Sequence, residues 1–575
     1  MAKISPRPLS IVGLLLWFVS LATITGCNND GSTSSSSASL ELSGYPATQA
    51  AIGQVYSFTP AVAEVGSSAI IGFSIRNKPA WATFNTSSGR LEGTPTSADV
   101  GNYPAIVISA SSGSAQASLA GFTITVLRPR AVPPAPTSTP TVTVQIGPKS
   151  GTVALIPGMT FGGSTLDPVK GEPIALKAAT QLLTDRFPFQ NQWSGGFGVD
   201  SDKQWPTQTS AYNWTQLDAR INLILSTGRT PVITLCGVPA WMRVTSTDYF
   251  SAPQAIYFQA YAKYAAAIAT RYPQVKYFLV WSEMKGFWNA NLMRWDYEGY
   301  TRFYNDIYAA LKAVSPTVQV GGPYVNMSNF YATGSGGSAL TGAYGTIKQN
   351  ALDVVTYWLA NNQGADFLVV DGSVMGNNNT EAPADWYAAN QYFSDVNTWL
   401  KQQSSLPIWW SEYYPNPCLY SSCAPYVAIF DHDQQNTLLS KTLLSMMPDV
   451  SVALKWTPDG ESTTRSDLPA PYQIPTGPYP NMGDQSSVWS DTAAVGGGQG
   501  FPFANSLAQF EQYFSPGSTL YSTQVSNSNV AAYATSTSIA LINQTSQDQI
   551  VQVTRGTSTQ TIQLSAYQVY FNSMP

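Results

Sequence analysis

The 575-residue chain predicts a multidomain protein built on a (β/α)8 TIM barrel, with a β-sandwich ahead of the barrel and a small β-sandwich behind it. Three observations carry this. From about 143 to 514, short apolar strands alternate with amphipathic helices. Residues 40–127 and 515–575 hold strand patterns and no convincing helix. A Pro-rich stretch, 128–142, reads as a semi-stiff linker between the first unit and the rest.

Composition narrows the function. Lys and Arg number 28 against 33 Asp and Glu, a net charge of −5, which argues against a nucleic-acid partner. A single histidine, His432, nearly excludes His-ligated zinc, haem and His-based nucleophilic triads. It lies in Asp431-His432-Asp433 ahead of a helix pattern and reads as a loop or cap residue. Nothing in the sequence calls for a cofactor or a metal. The 16 Trp and 31 Tyr suit sugar stacking and a large aromatic core equally well.

Along the chain, Lys3 and Arg7 precede an apolar run, Ile11 to Ala22, shorter than the roughly 20 residues of a membrane span. Ile24-Thr25-Gly26-Cys27 resembles the lipobox of bacterial lipoproteins. That resemblance implies a signal peptide over 1–27, acylation of Cys27 and, with Asn28 next, outer-membrane anchoring facing the periplasm or the cell surface. Residues 28–39 form a Ser-rich tether. Over 40–127, the segments Ala51–Phe58, Pro79–Phe84, Gly89–Pro95 and Asp99–Tyr103 resemble the immunoglobulin-like modules of bacterial surface proteins. Trp81 and Phe84 read as core residues of that unit.

In the barrel region, Leu217, Ile221, Ile224 and Leu225 share one helix face, Gly228 follows as a C-cap, and Pro231–Leu235 reads as a buried strand. Phe258, Tyr261, Ala265, Ile268 and Tyr272 lead in the same way into Val275–Trp281. Tyr300, Tyr304, Ile307, Leu311 and Val314 precede Val318–Val320. Ala365–Val370, a helix near 384–402, Pro407–Trp410, a helix around 434–447 and Val450–Trp456 complete the alternation. Cys236 ends a strand pattern and reads as a buried thiol. Cys418 and Cys423, in an exported chain, are expected to form a local disulfide.

Catalytic residues of such barrels sit at strand C-termini. Glu283 ends FLVWSE, the expected fourth strand, and Glu412 ends PIWWSE, the expected seventh. Two carboxylates across a sugar-binding cleft are what glycosidic cleavage requires. Val280-Trp281-Ser282-Glu283 with Phe287-Trp288, Tyr212-Asn213-Trp214 with Pro239-Ala240-Trp241, and Pro407–Glu412 resemble segments of glycoside hydrolase family 39 in the right order. The resemblance implies a retaining glycosidase, with Glu283 as acid/base and Glu412 as nucleophile, acting on an exopolysaccharide or plant-type glycan. Two positions depart from the family: Ser282 stands where Asn is usual, and Asp371 where the sixth strand commonly leads to His. Arg186, Trp281, Ser282, Tyr324, Tyr413 and Trp456 are candidate substrate-binding residues, and Trp193 and Trp205 candidate outer platforms. Asp371, Asp459 and Glu461 compete for the catalytic role. The acid is expected to have a raised pKa. Ser282 leaves an alternative open, a catalytically silent carbohydrate-binding or adhesive surface lipoprotein.

Overall fold

The structure is a computed structural model. It describes residues 39–127 and 141–574, apart from 44–45, 47–48, 52–55, 66–70, 120, 163–164, 170, 197, 246–249, 332–335, 377–382, 416–431, 460–486 and 494–496. Cys27, the tether, the Cys418–Cys423 pair and Glu461 therefore lie outside the described residues, as does most of the Pro-rich linker. No helix among the described residues is long and apolar enough to cross a membrane.

Eight parallel strands close into a barrel: β1 (Ile156–Thr160), β2 (Phe189–Trp193), β3 (Thr230–Leu235), β4 (Tyr277–Val280), β5 (Gln319–Asn326), β6 (Phe367–Ser373), β7 (Ile408–Tyr414) and β8 (Val450–Trp456). Closure is direct, because Thr160 of β1 pairs with both Asn191 of β2 and Trp456 of β8. A helix of at least twelve residues follows every strand, from Pro173–Arg186 after β1 to Pro502–Tyr513 after β8. Local chemistry sets the ends of these helices. Glu172 accepts from the Ile174 and Ala175 amides ahead of Pro173, and Gly228 leaves the helix Thr215–Ser226 at φ 69°, as an αL C-cap requires.

The barrel floor is aromatic. Trp409 stacks on Phe367 at 4.3 Å and meets Phe189 edge-on at 5.4 Å, with Val232, Leu279, Val369, Val452 and Leu454 filling the remaining space. Gly321 on β5 makes room for this stack, since a Cβ there would lie 2.1 Å from Phe367. Above the floor runs a polar layer. Asn191 donates to Thr160 Oγ1 (3.0 Å), Thr234 donates to Asn191 (3.0 Å), and Thr160 donates to the Ser411 carbonyl (2.7 Å). These buried groups partner one another, which removes the cost of leaving them unpaired and gives the next layer a rigid base.

Among its described residues, the unit before the barrel is built of strands, with one short 3-10 turn at Ser97–Asp99. Its core includes Leu91, Ile106, Ile108, Ile124 and Val126, and Trp81 packs edge-on between Tyr56 and Tyr103. After the barrel comes a seven-stranded sheet. Here the structure moves a boundary: Val142–Thr152, assigned from sequence to the linker and barrel, pairs with Thr519–Val525 and Gln549–Arg555. Its alternating Val142, Val144 and Ile146 enter the C-terminal core, a partnership no local pattern reveals.

Candidate active site

Two strand irregularities aim the site. On β7, Val370 faces Trp410 but Asp371 faces Glu412, so Ser411 is an extra residue. On β5, Pro323 faces Val369 and Val325 faces Val370, so Tyr324 is extra, at φ 45°. A bulge shifts the inside/outside alternation by one residue. Asn326, Asp371 and Glu412 thereby stand side by side on three neighbouring strands.

Glu283 comes from a different device. It follows β4 in a tight turn, where Trp281, Glu283, Met284 and Gly286 have φ of 68°, 49°, 56° and 76°. Three non-glycine residues in this region store about 1–3 kcal/mol each. The turn is locked by Trp281 N–H to the Leu235 carbonyl (2.9 Å), Lys285 N–H to the Ser282 carbonyl (3.0 Å) and the Trp281 indole to the Lys285 carbonyl (2.7 Å). Glycine is required at 286, because a Cβ would lie 2.1 Å from the Ala252 nitrogen.

One oxygen from each of Glu283, Asp371 and Glu412 lies within 4.8 Å of the others. Among the described residues this is the acidic group whose spacing could hold a metal ion, but the ammonium of Lys285 already contacts Glu283 Oε2. Asn326 donates to Glu283 Oε1 at 2.9 Å and to Asp371 at 3.5 Å. Glu412 accepts from neutral donors, Tyr324 on Oε1 at 2.5 Å and Tyr414 on Oε2 at 3.5 Å.

These surroundings divide the protons unequally. Two carboxylates no more than 4.8 Å apart repel by at least roughly 3.5 kcal/mol at an effective dielectric of 20, so the group does not ionise fully. Burial pushes Glu283 up, but Lys285 and the hydrogen bonds of Asp371, Lys285 and Asn326 outweigh it and hold Glu283 at about 2. Burial, with the Glu283 charge, pushes Glu412 up to about 8 against Lys285 and the two tyrosines. Burial and both glutamates push Asp371 well above the carboxylate range. Lys455, fully buried with its ammonium on the Trp456 carbonyl (2.6 Å), is pushed down to about 7 by burial against the pull of Glu412. The expected raised pKa thus falls on Glu412 and Asp371, and Glu283 departs in the opposite direction because of Lys285.

Of the other candidates, Tyr324 joins the site. Trp456 lies at the end of β8, 6.2 Å from the ring of buried Trp193. Arg186 does not reach the site. It ends the helix Pro173–Arg186 outside the barrel and donates to the Ala504 carbonyl at 3.0 Å. Trp281 does not face it either, because its ring packs on Tyr261, Phe287 and Phe303. Tyr413 is buried in the outer core, on the opposite strand face from Glu412 and Tyr414. Ser282 is fully buried, and its hydroxyl lacks a partner among the described residues. Trp205 is core, against Tyr212, Trp241 and Tyr264. Asp459 accepts from the Leu166 amide and the Trp489 indole, clamping loops. Cys236 is a buried free thiol. Sequence reading missed Lys285, Asn326, Tyr414 and Lys455. The only signal available for Lys285 was its place two residues after Glu283.

Residues 28–127 match the He_PIG family model, Putative Ig domain. No curated protein matches the chain. Solved structures similar to it include a GH39 β-xylosidase from Caulobacter crescentus, 15% identical over 72% of this chain and 84% of that one, with TM-score 0.46. Others are a GH39 enzyme from Xanthomonas axonopodis pv. citri (15%; 74% and 84%; TM-score 0.48) and a GH30 endoxylanase from Clostridium papyrosolvens C71 (14%; 75% and 99%; TM-score 0.41). The barrel itself rests on the strand pairing given above.

Proposed function

We propose that this chain is a retaining glycoside hydrolase that cleaves a polysaccharide or oligosaccharide by double displacement. The observation that supports it is the approach of Glu283 and Glu412, with oxygens within 4.8 Å at the C-terminal end of the barrel. Retaining enzymes hold their carboxyls about 5–5.5 Å apart, and inverting ones about 6.5–9.5 Å to admit a water. Glu412 is the nucleophile: Tyr324 holds Oε1, and Oε2, on the longer contact to Tyr414, is the oxygen free to bond the anomeric carbon. As that bond forms, the bond to the leaving oxygen breaks and Glu283 protonates it. Water then attacks the glycosyl ester, Glu283 takes its proton, and Glu412 leaves as a carboxylate.

A second reading, a silent carbohydrate-binding surface protein, draws on one observation, the Lys285 ammonium on the acid. Products released from a panel of bacterial and plant polysaccharides by wild type and Glu283→Gln decide between them. Release by wild type alone supports the enzyme, and release by neither supports the binding protein. The Cys27 motif supports lipid anchoring in the outer membrane. Cys27→Ser is expected to leave the membrane fraction, and an unmodified N-terminus by mass spectrometry would exclude the anchor.

A further inference from the structure

Lys285 sets a condition on the substrate of the site just proposed. In the resting site its ammonium sits on Glu283 Oε2, so Glu283 is ionised and the proton of the pair stays on Glu412. Cleavage needs the reverse, a protonated Glu283 and an ionised Glu412. The number of protons is right and their position is wrong. The ammonium is the largest influence holding Glu283 ionised; once it leaves, burial favours a neutral Glu283, and a neutral Glu283 no longer raises Glu412. A neutral sugar offers only hydroxyls, which do not displace a carboxylate from an ammonium, whereas an anionic group competes on equal terms.

Lys285 is placed for that exchange. Its backbone is pinned by the Trp281 indole and by the turn that Gly286 permits. Its ammonium lies 5.4 Å from the Trp193 ring centre and 5.1 Å from that of Phe250, so two aromatic walls steady the cation. About a third of the side chain, 32%, is exposed, and a lysine's four-carbon stem has the flexibility to reach a new partner. Among the described residues, the other titratable groups facing the pair are Asp371, Tyr324, Tyr414, Cys236 and Lys455. Lys455 is the remaining cation among them, and it is fully buried.

We infer that Lys285 recognises an anionic substituent, a carboxylate or a sulfate ester, on the sugar in the cleft, and that its transfer from Glu283 to this substituent relocates the proton from Glu412 to Glu283. Glu412 loses one proton, Glu283 gains one, and one ion pair replaces another, so no outside proton is consumed. This rests on the glycosidase reading.

The test uses polysaccharides beside charge-free copies with the same linkages. Glucuronoxylan and hyaluronan are paired with their carboxyl-reduced forms, and dextran sulfate and κ-carrageenan with their desulfated forms. Cleavage rate and binding are measured for the full-length wild type, Lys285→Met and Lys285→Arg, with thermal melting to verify folding. The expected result is that an acidic glycan is cleaved about tenfold to a hundredfold faster than its neutral copy, the range a charge-assisted contact supplies. Lys285→Met should abolish that preference and cleave the neutral copy faster than wild type does, because no ammonium then holds Glu283 ionised, and Lys285→Arg should retain the preference. The pair that responds distinguishes carboxylate from sulfate. Equal cleavage of charged and neutral copies, or a preference that survives in folded Lys285→Met, overturns the inference and leaves the glycosidase reading standing. Binding that prefers the acidic glycans through Lys285 without any cleavage overturns the glycosidase reading and keeps the anion site. Neither cleavage nor preferential binding overturns both.

Discussion

The same residue type meets two settings at the mouth of this barrel. Glu412 lies within a strand, 3% exposed, and accepts hydrogen bonds from neutral phenols. Glu283 lies in a left-handed turn, 16% exposed, against an ammonium. The strand setting retains a proton and the turn setting gives it up. The difference teaches that position at a strand end selects the pair, while the element supporting each glutamate selects its resting charge.

The largest expected effect breaks the strand side. Glu412→Ala should lower kcat by roughly four orders of magnitude or more, as loss of a covalent nucleophile does. External azide should restore turnover as a glycosyl azide of inverted configuration, seen by NMR. A retained rate would move the nucleophile to Asp371.

Breaking the turn side should discriminate between substrates. Glu283→Ala should cost natural linkages about 10²–10⁴-fold, the usual range for a general acid. Aryl glycosides with acidic leaving groups, which need little protonation, should lose far less in the first step. Equal losses on both would remove Glu283 from the acid role.

Gly286→Ala tests the turn without touching a carboxylate. With a Cβ 2.1 Å from the Ala252 nitrogen and φ at 76°, it should cost about 1–3 kcal/mol in urea unfolding and reduce kcat by displacing Glu283. Full activity at wild-type stability would show that the turn does not position the acid.

Glu412→Gln sharpens the contrast in charge. The folded pKa of Glu412 is raised to about 8, so the folded state holds more protons than the unfolded chain between its unfolded value and 8. The stability this contributes is present at low pH and is lost as pH rises through 8. The variant should therefore exceed wild type by on the order of 4 kcal/mol at pH 9 relative to pH 5. An unchanged difference between pH 5 and pH 9 would mean that Glu412 is already ionised in the folded protein at pH 5.

The smallest effect is expected far from both glutamates. The strand-built unit before the barrel has its own core, and no acidic cluster of metal-ligand spacing lies in it among the described residues. Removing residues 1–140 should leave turnover on soluble oligosaccharides unchanged. The cut stops short of Val142, which is fully buried in the C-terminal core. Lost turnover in a folded truncate would assign the unit a part in the site.

The sequence by itself determined the alternation of strands and helices, because burying one helix face and a whole strand dictates periodicity along the chain. It also placed Glu283, Glu412 and Tyr324 at strand ends, where a barrel gathers side chains. Other features depended on three-dimensional register. Ser411 and Tyr324 are extra residues only when their neighbouring strands are present, so the inward turn of Glu412 and Tyr414, and the outward turn of Tyr413, were not legible. Trp281 reads as a sugar platform beside Glu283, yet the reversed turn sends its ring under the helices. Arg186 precedes β2 closely in sequence but belongs to the end of a helix outside the barrel. The contact of Lys285 with Glu283, and hence the resting charge of Glu283, was decided by the tertiary structure alone. Its sign depends on how burial and a neighbouring ammonium compete at one carboxyl, and that balance is fixed by distance rather than by residue order.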